Sequence, residues 1–269
     1  MNADISNSNS HISVPKCKLC HHTACYMGSV DFNKSGNDYF VGERMFPKSD
    51  KEVTYFRCDN CGLMFTDYFY GWSDEEFGEC VYNDEYLKAD PPFEKERPQR
   101  MAKFLQGVLP NVTSPVTHLD YGGGRGRLGE ELEKLGFRSS TTFDPHHPEC
   151  NISPTKRFDL VTAFEVVEHV ADQLTLFDNI SRFMKPNGLL LVTTLLQPDD
   201  VLQQGANWWY ACPRNAHMTF HTANSLEITL SAVGLKLVSL TQEIHLGYTS
   251  ESQMKSLFTT TKDLPPVNV

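Results

Sequence analysis

From residue 101 to residue 249 the apolar positions alternate between a helical period and a strand period. Met101, Phe104, Leu105 and Val108 recur at helical spacing. Residues 116–121 read as a strand, and 127–135 as a helix with Leu128, Leu132 and Leu135 inward. Strands follow at 139–143 and 158–164. Residues 166–184 read as one helix, with Leu174, Phe177, Ile180 and Phe183 as its apolar face. Residues 189–195 have the continuous apolar character of a strand buried on both faces. A helix at 225–232 is stopped by Gly234, and 235–241 and 243–249 read as two last strands. This alternation predicts an α/β fold, a mostly parallel sheet with helices on both faces.

The front of the chain follows a different pattern. Residues 1–15 are polar and are expected to form a disordered tail. Residues 16–85 hold many aromatics and two CxxC pairs but no long helical period, which marks a separate small module. Residues 86–100, YLKADPPFEKERPQR, are rich in proline and charge and read as a linker. The larger domain then runs over 101–249, and 250–269 form a weakly patterned C-terminal tail.

A formal net charge of -10 argues against nucleic acid or an acidic membrane surface as a partner. The strongest apolar run, 188–196, is too short to span a bilayer, so no membrane insertion is expected. The N-terminus lacks the basic start and apolar centre of a secretory signal, and a cytoplasmic location is the expectation. Cysteines stay reduced there, so paired cysteines point to metal before disulfide.

Cys17 and Cys20 form one CxxC, and Cys58 and Cys61 another. Each puts two sulfurs on one tight turn, and two facing turns make a closed tetrahedral cage suited to structural Zn2+. Lys16, Lys18 and Arg57 stand beside the ligands and can offset the charge of four thiolates. The alternatives are four unrelated thiols or a redox pair. Cys25, Cys80, Cys150 and Cys212 lack such spacing and read as ordinary thiols.

The strand at 116–121 runs through Asp120 into Gly122, Gly123, Gly124, Arg125 and Gly126, and then into a helix. Glycines let a ligand approach the backbone, and a helix start offers free N–H groups to a carboxylate. Asp144, at the end of the next strand, suits the hydroxyls of a ribose. Gly124, Gly126 and Gly129 also read GxGxxG, so this turn alone fits a dinucleotide as well as an adenosyl amino acid.

The segment Phe158-Asp159-Leu160-Val161 through Glu165-Val166-Val167-Glu168-His169-Val170 resembles the fourth strand of the class I S-adenosylmethionine-dependent methyltransferases, of the type 11/23 groups. Met184-Lys185-Pro186-Asn187-Gly188-Leu189 resembles their next loop and strand, with Asn187 in place of the usual glycine, and 217–226 resembles their HxxFFTxxSL element. The resemblance covers roughly residues 100 to 242. It implies a Rossmann-like fold of seven strands and S-adenosyl-L-methionine as cofactor. Asp120, Gly122, Gly124 and Gly126 would hold its methionine end and Asp144 its ribose, beside Glu165. Residues 145–157, with Pro145, Pro148 and Pro154, leave little room for the usual second helix and third strand.

Glu165, Glu168 and His169 have i, i+3, i+4 spacing, which would put them on one helix face at the C-terminal end of a strand. With His217 they form a candidate set for a divalent metal, as similar sets do in some small-RNA and quinone-precursor O-methyltransferases. Acid/base work, substrate binding and bracing of the helix are the competing roles. In the loop 197–224, Trp208 and Trp209 with Asn207, Tyr210, Arg214 and Asn215 suit a stacked polar ring, or else a lid packed on the core. Arg125 and Arg127 would steer an anionic substrate or pair with Glu130 and Glu131. The order of zinc module and methyltransferase is similar in layout to sugar methyltransferases, although those carry a large further domain. The expectation is methyl transfer to a small-molecule or saccharide acceptor, O-methylation being favoured over C-methylation. The alternatives are a nicotinamide (NAD) oxidoreductase, and a non-catalytic S-adenosylmethionine-binding protein with a zinc interaction module.

Overall fold

Alternate residues of a strand face opposite sides of a sheet, so a strand apolar at every position needs cover on both sides. That requirement organises the computed structural model, which describes residues 15–109, 116–137, 139–147, 150, 152–153 and 155–251. The expected tails, 1–15 and 250–269, lie almost wholly outside the described residues.

In chain order the strands are β1 (Ala24–Asp31), β2 (Glu52–Cys58), β3 (Met64–Phe65), β4 (His118–Tyr121), β5 (Ser140–Phe143), β6 (Phe158–Phe164), β7 (Met184–Thr193), β8 (Thr219–Phe220), β9 (Lys236–Ser239) and β10 (Ile244–Tyr248). The helices are α1 (Asn37–Val41), α2 (Asp74–Cys80), α3 (Tyr86–Ala89), α4 (Glu96–Val108), α5 (Arg127–Lys134), α6 (Gln173–Ser181), α7 (Val201–Gln204) and α8 (Ala223–Ala232). The larger sheet has the order β5-β4-β6-β7-β10-β9. Its first four strands are mutually parallel, and β10 runs antiparallel to both neighbours.

Val161, Ala163, Leu190 and Val192 pack on one face against Phe177 and Ile180 of α6 and Leu226 and Leu230 of α8. Leu160, Leu189 and Leu191 pack on the other against Phe104 and Leu105 of α4 and Leu128 and Leu132 of α5. This is the α/β architecture that the apolar pattern predicted. The sheet has six strands among the described residues where the resemblance implied seven. The proline-rich stretch 145–157 leads from β5 to β6 with no strand among its described residues. The chain leaves β4 towards β5 on one side and continues from β6 to β7 on the other. The strand ends of β4 and β6 therefore flank the switch point of the sheet, where ligands bind in open α/β folds.

Two expectations are corrected. Residues 166–184 do not form one helix: a 3-10 turn at Val167–His169 precedes α6, which starts at Gln173 behind the capping side chain of Asp172. Residues 86–100 are not a bare linker, since they form α3 and the first turn of α4. Arg97 in that turn is largely buried and grips Asp90 through two bonds of 2.8 and 2.9 Å.

The second sheet, β1-β2-β3-β8, is antiparallel throughout. Its last strand belongs to the loop that follows β7. One aromatic core joins Phe32, Tyr55, Met64 and Phe69 to Trp208, Tyr210 and Phe220. No helix among the described residues is long and apolar enough to cross a membrane.

Candidate functional site at the switch point of the sheet

The glycine turn stands between β4 and α5. Gly122, Gly124 and Gly126 have φ of 73, 54 and 82°, a region that residues with a Cβ rarely adopt. A Cβ on Gly122 would also lie 2.6 Å from Cγ2 of Val166. Asp144, from the end of β5, is buried; its Oδ2 accepts the Gly124 N–H at 2.8 Å and its Oδ1 the His146 N–H at 2.9 Å. Asp120, one residue before the end of β4, has 3% of its surface exposed, and burial pushes its carboxyl up to about 7. Thr162 of β6, its partner in the parallel register, donates to Oδ1 at 2.9 Å. His118 bonds Thr162 and Ser140, at 2.9 Å each, and burial keeps it neutral. The glycine turn and Asp144 are thus joined through the Gly124 N–H, with Asp120 beside them at the tip of β4.

Across the switch point, β6 ends at Phe164 and Glu165 takes φ 54°, a left-handed conformation that costs a non-glycine residue on the order of 1 kcal/mol or more. Its N–H donates to Thr193 Oγ1 at 3.0 Å, and Thr193 donates back to its Oε1 at 2.8 Å. Oε2 lies 3.9 Å from Arg97. This turn overturns the expected helix face, because Glu165 and Glu168 do not stack one above the other. Glu168, His169 and His217 converge instead, with one ligand-type atom of each within 4.8 Å of the others. Glu165 is not part of that trio.

Glu168 is fully buried; Tyr210 donates to its Oε1 at 2.6 Å, while Oε2 has no partner. Burial and the nearby Glu165 push its carboxyl up to about 8. Burial also holds His169 down to about 4 and His217 well below its usual value. The ring of His217 stands 4.9 Å from that of His169, edge to face. His217 Nδ1 lies 2.9 Å from the Tyr210 carbonyl, which leaves Nε2 as its free ligand atom. Two neutral imidazoles and an unpaired carboxylate oxygen form a donor set that a divalent cation would satisfy.

The four CxxC sulfurs also converge. Cys17 and Cys61 are 3.6 Å apart, and Cys20 and Cys58 3.4 Å. Four sulfurs around zinc, at about 2.3 Å each, stand about 3.8 Å apart, so a small expansion of the cage fits the ion.

The tryptophans of the 197–224 loop divide their roles. Trp208 is 2% exposed and packs in the aromatic core. Trp209 is half-buried and stacks on Tyr39 at 5.6 Å, on the wall of a groove of about 510 Å3 that also meets Asp199, Asn207 and Gln242. Arg214 and Asn215 point elsewhere: Arg214 ties down Val81 and Asn83, and Asn215 accepts from the Gly36 N–H. Arg127 pairs with Glu130, and Glu131 with Lys134.

Sequence reading placed Tyr210 in the loop but not on Glu168, and it missed Arg97, Thr162 and Thr193. Threonines inside otherwise apolar strands were a visible signal for the last two. Arg97, in a charged stretch, gave none.

A sequence model described as a methyltransferase domain matches residues 93–240. A ubiquinone biosynthesis O-methyltransferase of Rhodopseudomonas palustris BisB5 is 37% identical over 166 residues, covering 51% of this chain and 63% of that protein. The protein of the same name from strain HaA2 is 48% identical over 118 residues, covering 36% and 45%. The chain thus spans less than two thirds of the length of the curated relatives it matches. Among solved structures, an O-methyltransferase family protein from Burkholderia thailandensis aligns with a TM-score of 0.46 at 14% identity, over 61% of this chain and 60% of that one.

Proposed function

From a chain that belongs to the methyltransferase-domain family, a class I S-adenosylmethionine-dependent group, we propose an enzyme that methylates a hydroxyl of a small polar acceptor. The observation that carries this reading is the pairing of a glycine turn with two buried acidic strand ends on one side of the switch point, and Glu168, His169 and His217 on the other.

When bound, S-adenosylmethionine would supply an electrophilic methyl, which the acceptor oxygen would attack in line as the methyl–sulfur bond breaks and the sulfur leaves as the thioether of S-adenosylhomocysteine. The chain's own residues do the rest. Asp120 meets the cofactor's ammonium, the N–H groups of the turn meet its carboxylate, and Asp144 exchanges the Gly124 N–H for ribose hydroxyls. Glu165, held by Thr193 and Arg97, would face the bound cofactor from the end of β6. Glu168, His169 and His217 hold the acceptor, and the unpaired Oε2 of Glu168 supports a divalent cation among them. Such an ion, held by Glu168, His169 and His217, would lower the pKa of a bound hydroxyl, so that no separate strong base would be needed. The four cysteines hold a structural zinc ion, distinct from this site.

Two acceptor classes have support. A saccharide suits the groove, where Trp209 and Tyr39 offer a stacking face beside the polar side chains Asp199, Asn207 and Gln242. A ubiquinone precursor is favoured by the names of the relatives, which are ubiquinone biosynthesis O-methyltransferases. Tritiated methyl incorporation into catechols or into simple glycosides separates the two. The nicotinamide alternative loses its ground with the family assignment, and turnover on any acceptor excludes the non-catalytic one.

The deciding experiment is calorimetry with S-adenosylhomocysteine. Sub-millimolar binding is expected, weakened at least about tenfold by Asp144→Ala. No binding by the native chain overturns the reading.

A further inference from the structure

Hydrogen bonds from two sides hold the backbone at His217–Phe220. On one side, the Met218 N–H donates to the carbonyl of Glu168 at 2.8 Å, and Thr219 Oγ1 to that of Val170 at 2.9 Å. On the other side, the outside partners described for His217–Phe220 come from the cysteine module. Tyr55 of β2, fully buried, donates its hydroxyl to the carbonyl of His217 at 2.8 Å. The Thr66 N–H donates to Met218 O at 2.9 Å, and β3 pairs with β8 through Met64–Phe220 and Phe65–Thr219.

The second CxxC turn grips the same loop. The Cys61 carbonyl accepts from Thr222 Oγ1 at 3.0 Å and Asn224 Nδ2 at 3.3 Å. Gln197, buried, donates to the Gly62 carbonyl at 2.7 Å and to Phe220 O at 2.8 Å, while Arg57 donates to its Oε1 at 2.8 Å. Gly62 has φ 80°, and a Cβ there would lie 2.8 Å from Thr222 Cγ2, so the turn is pressed against the N-terminus of α8. The cofactor side differs. Outside the sheet ladder, the hydrogen bonds described for Asp120, Gly122, Gly124 and Asp144 end on Thr162, Phe143, His146, His147, Cys150 and each other, and none reaches residues 15–66; the described link to the rest of the module is the exposed His146–Asp74 pair at 2.8 Å.

We infer that the Cys17–Cys20–Cys58–Cys61 centre positions His217 for the acceptor half of the active site, with Tyr55 and Gln197 as positioning residues, while the cofactor half stands without it. The inference rests on the proposed role of His217. The physical cause is one of connection: a four-cysteine turn without its metal loses the bonds that fix it, and β3, Tyr55 and the two carbonyls that hold the 197–224 loop are anchored on that turn.

Hydrogen exchange on the full chain tests this. Zinc is released with an organomercurial, the thiols are restored with dithiothreitol, and stripped and untreated protein are compared in EDTA, with zinc content read by native mass spectrometry. Amides of 212–222 are expected to exchange at least about tenfold faster in the stripped protein, those of 118–146 to stay unchanged, and S-adenosylhomocysteine affinity to hold within about twofold. Tyr55→Phe, which keeps its zinc, is expected to speed exchange at 217–220 alone and to weaken Mn2+ binding about tenfold, again with the cofactor affinity held. Unchanged exchange at 212–222 after zinc loss overturns the inference. Equal loss of protection over 118–146, or a native chain purified without zinc, also overturns it. Failure of the native chain to bind S-adenosylhomocysteine sinks the functional reading instead and leaves the exchange result to stand by itself.

Discussion

The two halves of the proposed site are built in different ways. The cofactor half comes from one nearly continuous stretch: Asp120 and the glycine turn leave β4, and Asp144 ends the very next strand. The acceptor half draws on four remote segments. Glu168 and His169 follow β6, Tyr210 and His217 sit in the loop after β7, Tyr55 comes from the small sheet, and Arg97 comes from the start of α4. The difference teaches which part a small perturbation can reach. A local turn depends on its own backbone, whereas a site assembled from distant pieces depends on each piece that supports it.

Arg97→Met is the strongest way to break this contrast. Arg97 stands 16% exposed between Asp90 and Glu165. Burial opposes its charge, but the two carboxylates outweigh that and hold it firmly protonated. Its removal leaves two carboxylates without their buried cation, and a loss of about 3–5 kcal/mol is expected in urea unfolding. A loss below about 1 kcal/mol would mean that the ion network bears little of the acceptor half.

Glu168→Gln sharpens it. Methyl transfer is expected to fall about a hundredfold or more, with S-adenosylhomocysteine affinity unchanged within about twofold. If affinity falls with turnover, the two halves are not separate.

Asp120 gives the smallest effect and tests the cofactor half alone. Burial raises its folded pKa to about 7, above the unfolded value. An ammonium ligand needs the ionised carboxylate, so affinity for S-adenosylhomocysteine is expected to fall about tenfold per pH unit below pH 7 and to level off above it. The ligand-free protein shows the opposite sign. The raised pKa stabilises the fold fully below the unfolded value, and that contribution is lost as pH rises through about 7. Asp120→Asn is expected to flatten both profiles, and a sloping affinity profile in that variant would assign the titration to another group.

Much of the cofactor half was legible in the chain. A strand with Asp120 near its end, three glycines that tolerate positive φ, and Asp144 one strand later are local features, set by short-range sterics and by period. The two-sided cover of the larger sheet was legible for the same reason, as was the paired spacing of the cysteines. The helix over 166–184 was misread because Leu174, Phe177, Ile180 and Phe183 keep the helical period, while the left-handed turn at Glu165 and the break before Gln173 are imposed by Thr193, Arg97 and Gln173's bonds to Val167 and Val170.

The amino-acid order by itself determined the sheet-and-helix scheme, the glycine turn and the two cysteine knuckles, because each depends on neighbours a few residues away. Only the tertiary structure decided that His217 leans on Tyr55, that Arg97 reaches Glu165, and that the last strand of the small sheet is lent by the larger domain. Those arrangements bury polar groups that must find partners, and the partners lie far along the chain, where no local period can announce them.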